Sequence, residues 1–361
     1  MRLLSAIQKL KKILAEKPVG EIRPIKADFK KEVGKQEIKW GIMGCGGIAQ
    51  VFASSLDALD NKLLWAGASL TPGRAQAFAE QHPMERVYTS YEDLVADPEV
   101  TAIYIATTHN FHFENIKLCL ENGKHVLCEK PFTVSATQTQ QLIELAREKN
   151  LFMMEAVWTR FLPAIQKLQE LLATGIIGEV RTVKADFSIT GDFSPEHRLR
   201  NRALAGGTLL DLGIYPITLA SIVFGEQPTR IQSSAVMGDT GVDDRGIYLF
   251  DYPNGRRAVL TAAFTHHAPA LGVICGTHGH IRLPVFHGAQ ELQIYREGQD
   301  PEVIKLPYSN GENFTFEIAH AMECIQAGKI ESPILPLSET LAIMKTMDTL
   351  RSQWGLVYDE E

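Results

Sequence analysis

The chain has 361 residues, of which 45% are hydrophobic and 22% charged, and its formal net charge is −7 at pH 7. This length exceeds one ordinary hydrophobic core, so two domains are expected. The acidic balance argues against nucleic-acid binding, which requires a basic face. No apolar run reaches the roughly 18 residues of a membrane-spanning helix, so no membrane partner is predicted.

Residues 1–36 are predicted to form an N-terminal helix and an extended arm. Apolar residues recur at helical spacing over 1–16, and Lys9, Lys11 and Lys12 interrupt the apolar core that a secretory peptide would need. A basic amphipathic helix that docks on this protein or on a partner subunit is the favoured interpretation, and a membrane-surface helix is the alternative. Proline, glycine and charged residues over 17–36 indicate the arm.

From Ile38, short apolar runs alternate with amphipathic helices. Strands are predicted at 38–43, 62–69, 86–89, 102–107, 125–130 and 151–157, and helices at 47–59, 72–81, 113–123 and 135–149. Apolar strands that alternate with helices are typical of a parallel sheet covered on both faces. Residues 37–157 are therefore predicted to be a doubly wound Rossmann domain that binds a dinucleotide.

Residues 158–361 show longer strands with period-two alternation. After a helix at 161–173, strands are predicted at 181–189, 229–238, 246–252, 256–264, 280–286, 291–297 and 302–308, with turns at 252–255 and 276–279 and closing helices at 313–327 and 337–353. This pattern predicts an α+β domain with a large, mostly antiparallel open sheet that has helices on one face. We expect substrate binding here and a second subunit on the open face, which gives a homodimer or a higher homo-oligomer.

A glycine-rich turn, Gly44-x-Gly46-x-x-Ala49, directly follows the first predicted strand and opens a helix. In this context the first glycine permits a tight turn, the second lets the backbone approach a pyrophosphate, and the alanine lets helix and strand pack closely. The helix N-terminus adds free N–H groups. We therefore predict dinucleotide contacts from Gly44, Cys45, Gly46, Gly47 and Ile48; a turn without a ligand is the alternative.

The end of the second strand distinguishes the two nicotinamide dinucleotides. A site for NAD places Asp or Glu there to bind the ribose hydroxyls, whereas this strand ends with Ser69, Leu70 and Thr71. Thr71 is predicted as a helix N-cap, Pro72 as the first helical residue and Arg74 as part of the first turn. Hydroxyl groups, an arginine and a helix N-terminus suit a 2′-phosphate, so NADP is predicted as the cofactor and NAD is the alternative.

The five cysteines, at 45, 119, 128, 275 and 324, include no C-x-x-C pair, so neither a zinc site nor a redox dithiol is predicted. Free thiols fit a reducing cytoplasm. His278 lies in the predicted turn at 276–279 and His280 directly follows it, so we interpret both as turn residues rather than metal ligands.

Glu129-Lys130-Pro131 closes the fifth predicted strand, at the sheet edge where doubly wound folds bind ligands. Cys-Glu-Lys-Pro after a GxGxxA turn resembles the glucose–fructose oxidoreductase/inositol dehydrogenase (Gfo/Idh/MocA) family. The segments MEAVWTRFLPA at 154–164, AGGTLLDLGIYP at 205–216 and ESPILPLSE at 331–339 are similar to its dimeric dihydrodiol dehydrogenase branch, which includes NADP-dependent D-xylose dehydrogenases. The resemblance extends from about Ile38 to the C-terminus.

The resemblance implies roles for matching positions. Lys130 is implied as a catalytic lysine followed by a cis peptide bond, Tyr215 as the general acid/base where many relatives have His, and Asp211 as a substrate-binding acid. Further cofactor contacts are implied at Thr107, His109, His112 and Glu129, although Thr108 departs from the Pro of many relatives. Substrate contacts are implied at Trp158, Arg160 and Phe161.

These roles imply hydride transfer between nicotinamide and a carbon of an aldose, polyol or dihydrodiol. Tyr215 would take the alcohol proton, and a cationic Lys130 nearby would lower the pKa of its phenol, which is ordinarily near 10. Two other classes stay open: a glycoside-cleaving enzyme that recycles a tightly bound nicotinamide, and a cofactor-binding regulator without turnover. The residues leave the exact substrate and the direction of the reaction undetermined.

Overall fold

The computed structural model of the chain describes residues 37–59, 64–309 and 311–359. The predicted N-terminal helix and arm, residues 1–36, lie outside the described residues. In the part that is described, a six-stranded and an eight-stranded sheet organise the protein.

The first sheet contains β1 (Trp40–Met43), β2 (Leu64–Ala68), β3 (Arg86–Tyr88), β4 (Ala102–Ile105), β5 (His125–Glu129) and β6 (Met153–Ala156). Its order is β3-β2-β1-β4-β5-β6, and all neighbouring strands are parallel. This order is that of a dinucleotide-binding doubly wound sheet. Strands β1, β4 and β6 are buried throughout, as expected for strands covered on both faces.

The helices that connect these strands are α1 (Gly47–Asp57), α2 (Arg74–Gln81), α3 (Tyr91–Ala96), α4 (His112–Glu121) and α5 (Ala136–Lys149). The hydroxyl of Ser135 caps α5 by accepting a hydrogen bond from the N–H of Gln138. Gly123 follows α4 with a φ of 73°, which confirms the predicted glycine stop. The six-residue helix α3 was not predicted, because so short a segment carries little periodicity.

The second sheet contains β7 (Val180–Ser188), β8 (Arg230–Met237), β9 (Asp243–Asp251), β10 (Arg257–Ala263), β11 (Gly272–Gly276), β12 (Gly279–Leu283), β13 (Glu291–Arg296) and β14 (Glu302–Lys305). Its order is β14-β13-β12-β11-β7-β10-β9-β8, and every pair except β7 with β10 is antiparallel. The predicted turns at 252–255 and 276–279 each join two neighbouring strands. Strand β11 is an addition to the prediction, since its glycine-flanked sequence hides the alternation.

Helices α6 (Pro163–Ala173), α7 (Ile214–Phe224), α8 (Thr315–Gln326) and α9 (Leu337–Trp354) accompany this sheet, and a π-helical turn, Leu209–Gly213, leads into α7. By length and composition, the helical stretch 202–224 is long and apolar enough to cross a membrane. Within the described residues, however, 94% of its apolar window is buried, and it forms the centre of the core beneath the second sheet. The predicted fold class is confirmed.

Candidate active site

A cavity of about 860 Å³ opens at the carboxyl ends of β1, β2, β4 and β5. The predicted cofactor contacts that line it are Gly44, Cys45, Gly46, Gly47, Ile48, Ser69, Thr71, Arg74, Thr107, His109, Glu129 and Lys130. Asp211 and Arg198, which come from the second half of the described chain, also line it. The cavity is therefore lined by residues from segments that connect the strands of both sheets.

The glycine-rich turn presents bare backbone to this cavity. Gly44 has a φ of 95°, and a Cβ atom there would lie 3.0 Å from the carbonyl carbon and oxygen of Ala106, so only glycine fits. At Gly46 and Gly47, by contrast, no atom of the described residues lies within 4 Å of an added Cβ. In the same described part of the chain, no side chain caps the N-terminus of α1, and the first turn of this helix has no acidic residue. This open cradle fits a pyrophosphate.

The end of β2 is a second polar corner of the cavity. The Ser69 hydroxyl accepts a hydrogen bond from the N–H of Thr71 at 3.2 Å. The predicted N-cap at Thr71 and helix start at Pro72 are wrong, because Gly73, with φ 73° and ψ −12°, separates them from α2. The carbonyl of Thr71 instead accepts the N–H of Arg74 at 3.2 Å, which makes 71–74 a Pro-Gly turn of type II. The exposed Arg74 side chain begins α2.

Cys45 contributes packing rather than reactivity to the turn. Its Sγ atom lies 3.5 Å from the carbonyl oxygen of Ala68, and burial raises the pKa of the thiol to about 11. Cys119 and Cys128 are fully buried and act as small core residues. Among the described residues, no group of three or more His, Cys, Asp or Glu side chains is arranged to hold a metal ion.

The two histidines after β4 have different surroundings. His109 lines the cavity, and its Nδ1 atom lies 3.0 Å from the carbonyl oxygen of Ala205. Because a carbonyl only accepts, Nδ1 carries the proton and Nε2 is left as an acceptor, 3.7 Å from Oδ1 of Asp211. Burial lowers the pKa of His109 to about 3, so the ring is neutral.

His112 is fully buried and contacts the carbonyl oxygens of Pro131 and Thr107, at 2.8 and 3.1 Å. It does not line the cavity. These contacts favour a structural role over the predicted cofactor contact, because His112 fixes the loop after β4 to the loop after β5. The Lys130–Pro131 peptide bond is cis, as the family resemblance implied.

A buried charge centre lies at the inner end of the cavity. Nζ of Lys130 donates to the carbonyl oxygen and to Oδ1 of Asp211, at 2.7 and 3.0 Å. Nη1 and Nη2 of Arg198 donate to Oδ1 and Oδ2 of the same carboxylate, at 2.9 and 3.4 Å. Burial alone would raise the pKa of Asp211, but the charges of Lys130 and Arg198 hold it well below its usual range. Asp211 is therefore a carboxylate shared by two cations.

Tyr215 lies beside this centre, one helical turn after Asp211. Nζ of Lys130 is 5.0 Å from the centroid of its ring, and Nε1 of Trp158 donates to its hydroxyl at 3.2 Å. Burial raises the pKa of the Tyr215 phenol, and the opposing effect of Lys130 offsets this only in part. The predicted direction of the Lys130 effect is right, and burial, which the sequence does not report, outweighs it.

The structure separates Trp158 from the other two predicted substrate contacts. Trp158 faces Tyr215, whereas the guanidinium of Arg160 is buried in an ion pair with Glu339. The Phe161 ring packs against His320, with 5.1 Å between ring centroids. For Arg160 and Phe161 the geometry favours packing over substrate contact, because their partners hold them away from Lys130 and Tyr215.

Three polar residues that line the cavity, Arg198, Tyr91 and Asn115, were missed by the sequence analysis. Arg198 lies in a loop without regular structure, and nothing in its neighbourhood predicts that it meets Asp211. Tyr91 comes from the unpredicted helix α3. Asn115 donates to the Thr107 hydroxyl at 3.0 Å, and its position one helical turn after the predicted contact at His112 is a signal that was available.

Known proteins share this architecture. Residues 38–156 match the model of the oxidoreductase family with an NAD-binding Rossmann fold, and residues 165–282 match the GFO/IDH/MocA C-terminal domain. The chain is 34% identical over 334 residues to a trans-1,2-dihydrobenzene-1,2-diol dehydrogenase of Xenopus tropicalis, covering 89% of this chain and 99% of the relative. The mouse enzyme of the same name is 35% identical over 331 residues, covering 90% and 99%.

Solved structures agree with these matches. A 3-ketoreductase from Actinomadura kijaniata in complex with NADP and TDP-benzene has a TM-score of 0.77 at 28% identity, covering 88% of this chain and 98% of that protein. An aldose-aldose oxidoreductase from Caulobacter crescentus, complexed with glycerol, has the same fold, with a TM-score of 0.80 at 23% identity and coverage of 90% and 100%. The chain therefore belongs to the GFO/IDH/MocA family of oxidoreductases, whose first domain is an NAD-binding Rossmann fold.

Proposed function

We propose that this protein is an NADP-dependent dehydrogenase that transfers a hydride between nicotinamide and a hydroxyl-bearing carbon of an aldose, polyol or dihydrodiol. Residues 37–157 would form its dinucleotide-binding domain, 158–361 its substrate and oligomerisation domain, and 1–36 an N-terminal arm. The observation that carries the proposal is the single cavity in which the open glycine-rich turn and the Lys130–Asp211–Arg198 centre meet.

Each part of the cavity suits one part of the dinucleotide. The bare backbone from Gly44 to Ile48 would hold the pyrophosphate, and Ser69, Thr71 and Arg74 would hold the 2′-phosphate of NADP. Thr107, His109, Glu129 and Lys130 would bind the nicotinamide half. Bound nicotinamide supplies the hydride acceptor or donor.

The side chains of this protein would handle the proton. Tyr215 would accept the proton of the substrate hydroxyl during oxidation and return it during reduction. Lys130 holds a positive charge beside the phenol, since its pKa is raised: burial opposes the ammonium, but Asp211, Tyr215 and Glu129 together outweigh burial. Because the pKa of Tyr215 is itself raised, the resting phenol is protonated at neutral pH and is ready to donate in the direction of reduction.

The surroundings of Tyr215 support the proposed substrate class. The rings of Phe187 and His287 stack with centroids 4.0 Å apart, and the centroid of each lies within 6 Å of that of Tyr215. Burial lowers the pKa of His287 to about 4, so this ring is uncharged. Together with Trp158 they form an aromatic wall, which suits the face of a sugar ring or of a cyclic diol.

The test is absorbance at the reduced-nicotinamide band with purified protein, NADP or NAD, and a panel of aldoses, polyols and trans-dihydrodiols. We expect turnover with at least one substrate and a higher kcat/KM for NADP than for NAD. A clear preference for NAD would overturn the cofactor assignment, and absence of net reduction with every substrate would overturn the dehydrogenase assignment.

We also propose that a second copy of the chain covers the open face of the second sheet. Val236, Ile247, Leu249 and Val259 lie on the adjacent strands β8, β9 and β10 and are between 37% and 51% exposed. Leu249 is paired directly with Val259. Such a contiguous apolar face is typical of a subunit interface. Leu249→Lys should convert a dimer to a monomer in sedimentation, and an unchanged mass would refute this interface.

The cellular location is proposed on the cysteines. All five are free thiols, and four of them are buried. Free buried thiols are typical of proteins that stay in a reducing compartment. We therefore propose the cytoplasm as the site of action.

A further inference from the structure

The last described residues, 355–359, which we call the C-terminal tail, alternate between buried and exposed side chains: Leu356 and Tyr358 are buried, whereas Val357 and Asp359 are exposed. Helix α9 ends at Trp354, and Gly355, with a φ of 69°, turns the chain away from the helix axis. Leu356 and Tyr358 then enter the core cluster beneath the second sheet and are 4% and 2% exposed. The tail thus carries two buried anchors.

The tail holds a loop that we call the Ala-Gly-Gly loop, residues 199–207. The Tyr358 hydroxyl donates to the carbonyl oxygen of Gly206, and Nη2 of Arg202 donates to the carbonyl oxygen of Val357 at 2.8 Å. Inside the loop, the N–H of Gly207 donates to the carbonyl oxygen of Leu199 at 2.8 Å. The tail and the loop are therefore joined by a hydrogen bond in each direction.

The two glycines of this loop make room for close neighbours, one of which is the tail. A Cβ atom at Gly206 would lie 2.6 Å from the carbonyl oxygen of Arg198. Gly207 has a φ of 119°, and an added Cβ atom would lie 2.3 Å from Oδ1 of Asp243 and 3.1 Å from the Tyr358 hydroxyl oxygen. Both positions therefore require glycine, and Tyr358 is one of the groups packed against the second of them.

The Ala-Gly-Gly loop in turn holds the groups that line the inner cavity. The carbonyl oxygen of Ala205 accepts the proton of His109 at 3.0 Å. Arg198 immediately precedes the loop. Leu209, just after it, donates its N–H to Oδ2 of Asp243 at 2.7 Å and begins the turn that carries Asp211. The positions of His109, Arg198 and Asp211 in the inner cavity thus depend on this one loop.

The same end of α9 also holds the loop that follows Lys130. Nη2 of Arg351 donates to the carbonyl oxygen of Val134 at 2.9 Å, and its guanidinium lies 5.2 Å from the centroid of the Tyr358 ring. Oδ2 of Asp348 accepts the N–H of Ala136 at 2.8 Å. Lys130 and Asp211 are 81 residues apart in the chain, and both of their loops are bonded to this one segment.

We propose that the C-terminal tail is a positioning element of the active site, in which Tyr358 fixes the Ala-Gly-Gly loop so that Arg198, Asp211 and His109 face Lys130. Tyr358 acts through the backbone of Gly206, whose carbonyl oxygen accepts a hydrogen bond from its hydroxyl. A displacement of about 1 Å at such a distance costs up to a hundredfold in rate when it misaligns reacting groups. The kinetic test of this inference rests on the proposed function, whereas the hydrogen-exchange test does not.

The test compares Tyr358→Phe with Tyr88→Phe. Both remove one tyrosine hydroxyl that donates a hydrogen bond: Tyr358 donates to Gly206 in the core, and Tyr88 donates to Asp97 in a partly buried bond at the edge of the first sheet. For Tyr358→Phe we expect kcat to fall roughly tenfold, as the loss of one positioning hydrogen bond implies, with the Kd of NADP unchanged. Hydrogen exchange of the 199–211 backbone should be faster than in the wild type, whereas Tyr88→Phe should leave kcat and this exchange unchanged.

A second variant covers the case in which Tyr358→Phe does not fold. Arg202 is half exposed, so Arg202→Ala removes its bond to Val357 without opening the core. Faster exchange over 199–211 is expected here too, with a smaller fall in kcat. Unchanged exchange over 199–211 in the folded variants would overturn the positioning role even if no substrate were turned over. A wild type without turnover would instead refute the proposed function.

Discussion

The two ends of the cavity are built in opposite ways. The glycine-rich turn consists of consecutive residues, offers backbone N–H groups and is defined by the side chains it lacks. The charge centre consists of side chains from distant segments, Lys130, Arg198 and Asp211, and is defined by their mutual contacts. A change at the glycine-rich turn should therefore affect cofactor binding, whereas a change at the charge centre should affect the reaction rate and its pH dependence.

The largest effect is expected at Tyr215. Removal of the phenol hydroxyl in Tyr215→Phe eliminates the proposed proton carrier, which is worth about 10²- to 10⁴-fold in kcat. The Kd of NADP should stay the same, because Tyr215 is not among the residues that line the cavity that fits the dinucleotide. Steady-state kinetics and cofactor titration measure both quantities. Turnover close to the wild-type value would show that another group moves the proton.

The pH dependence of the rate tests how the charge of Lys130 acts on Tyr215, at the same end of the cavity. Because burial raises the pKa of Tyr215, oxidation should accelerate as the pH rises through the alkaline range, while reduction, which uses the protonated phenol, should not. Lys130 opposes the effect of burial, so Lys130→Met should move the alkaline rise of oxidation to still higher pH. Lys149→Met, at an exposed lysine on α5, is the control. A profile that does not move would remove Lys130 as the modulator.

A bulky residue at Gly46 tests the other end. Gly46 has a φ of −95° and open space around its Cβ position, so Gly46→Val should fold normally. Its side chain would occupy the cradle and block charge-assisted hydrogen bonds, which weakens NADP binding by roughly ten- to a hundredfold. Gly44→Ala, where φ is 95° and backbone atoms are close, should instead lower the melting temperature. Equal cofactor affinity in Gly46→Val and wild type would contradict the pyrophosphate assignment.

The smallest effect is expected at Arg74. Loss of an exposed charge-assisted bond in Arg74→Ala should reduce kcat/KM for NADP about tenfold and leave kcat/KM for NAD nearly unchanged. Arg181→Ala removes an equally exposed arginine on the second sheet and serves as the control. A parallel loss with both cofactors would place Arg74 outside the 2′-phosphate site.

The sequence by itself determined the local features of this protein. The turn after β1, the glycine stop of α4 and the Lys130 motif are each encoded within a few consecutive residues and agree with the structure, as do most of the predicted strands and helices. The family and its Rossmann fold follow from such local motifs. Helix α3 and strand β11 were not predicted, because their short segments carry little periodicity. The start of α2 and the role of Thr71 were misjudged because Gly73 allows a type II turn in place of an N-cap.

Only the tertiary structure decided how distant segments meet. Nothing near Arg198 or Tyr358 predicts their contacts with Asp211 and Gly206, because those contacts depend on how the second sheet and α9 pack. The pKa of Tyr215 likewise depends on burial, which no residue spacing reports. Arg160 and His112 match the predicted motif positions, yet packing turned both toward structural partners. Short segments of sequence determine local backbone structure, whereas burial and charge balance depend on the assembled fold.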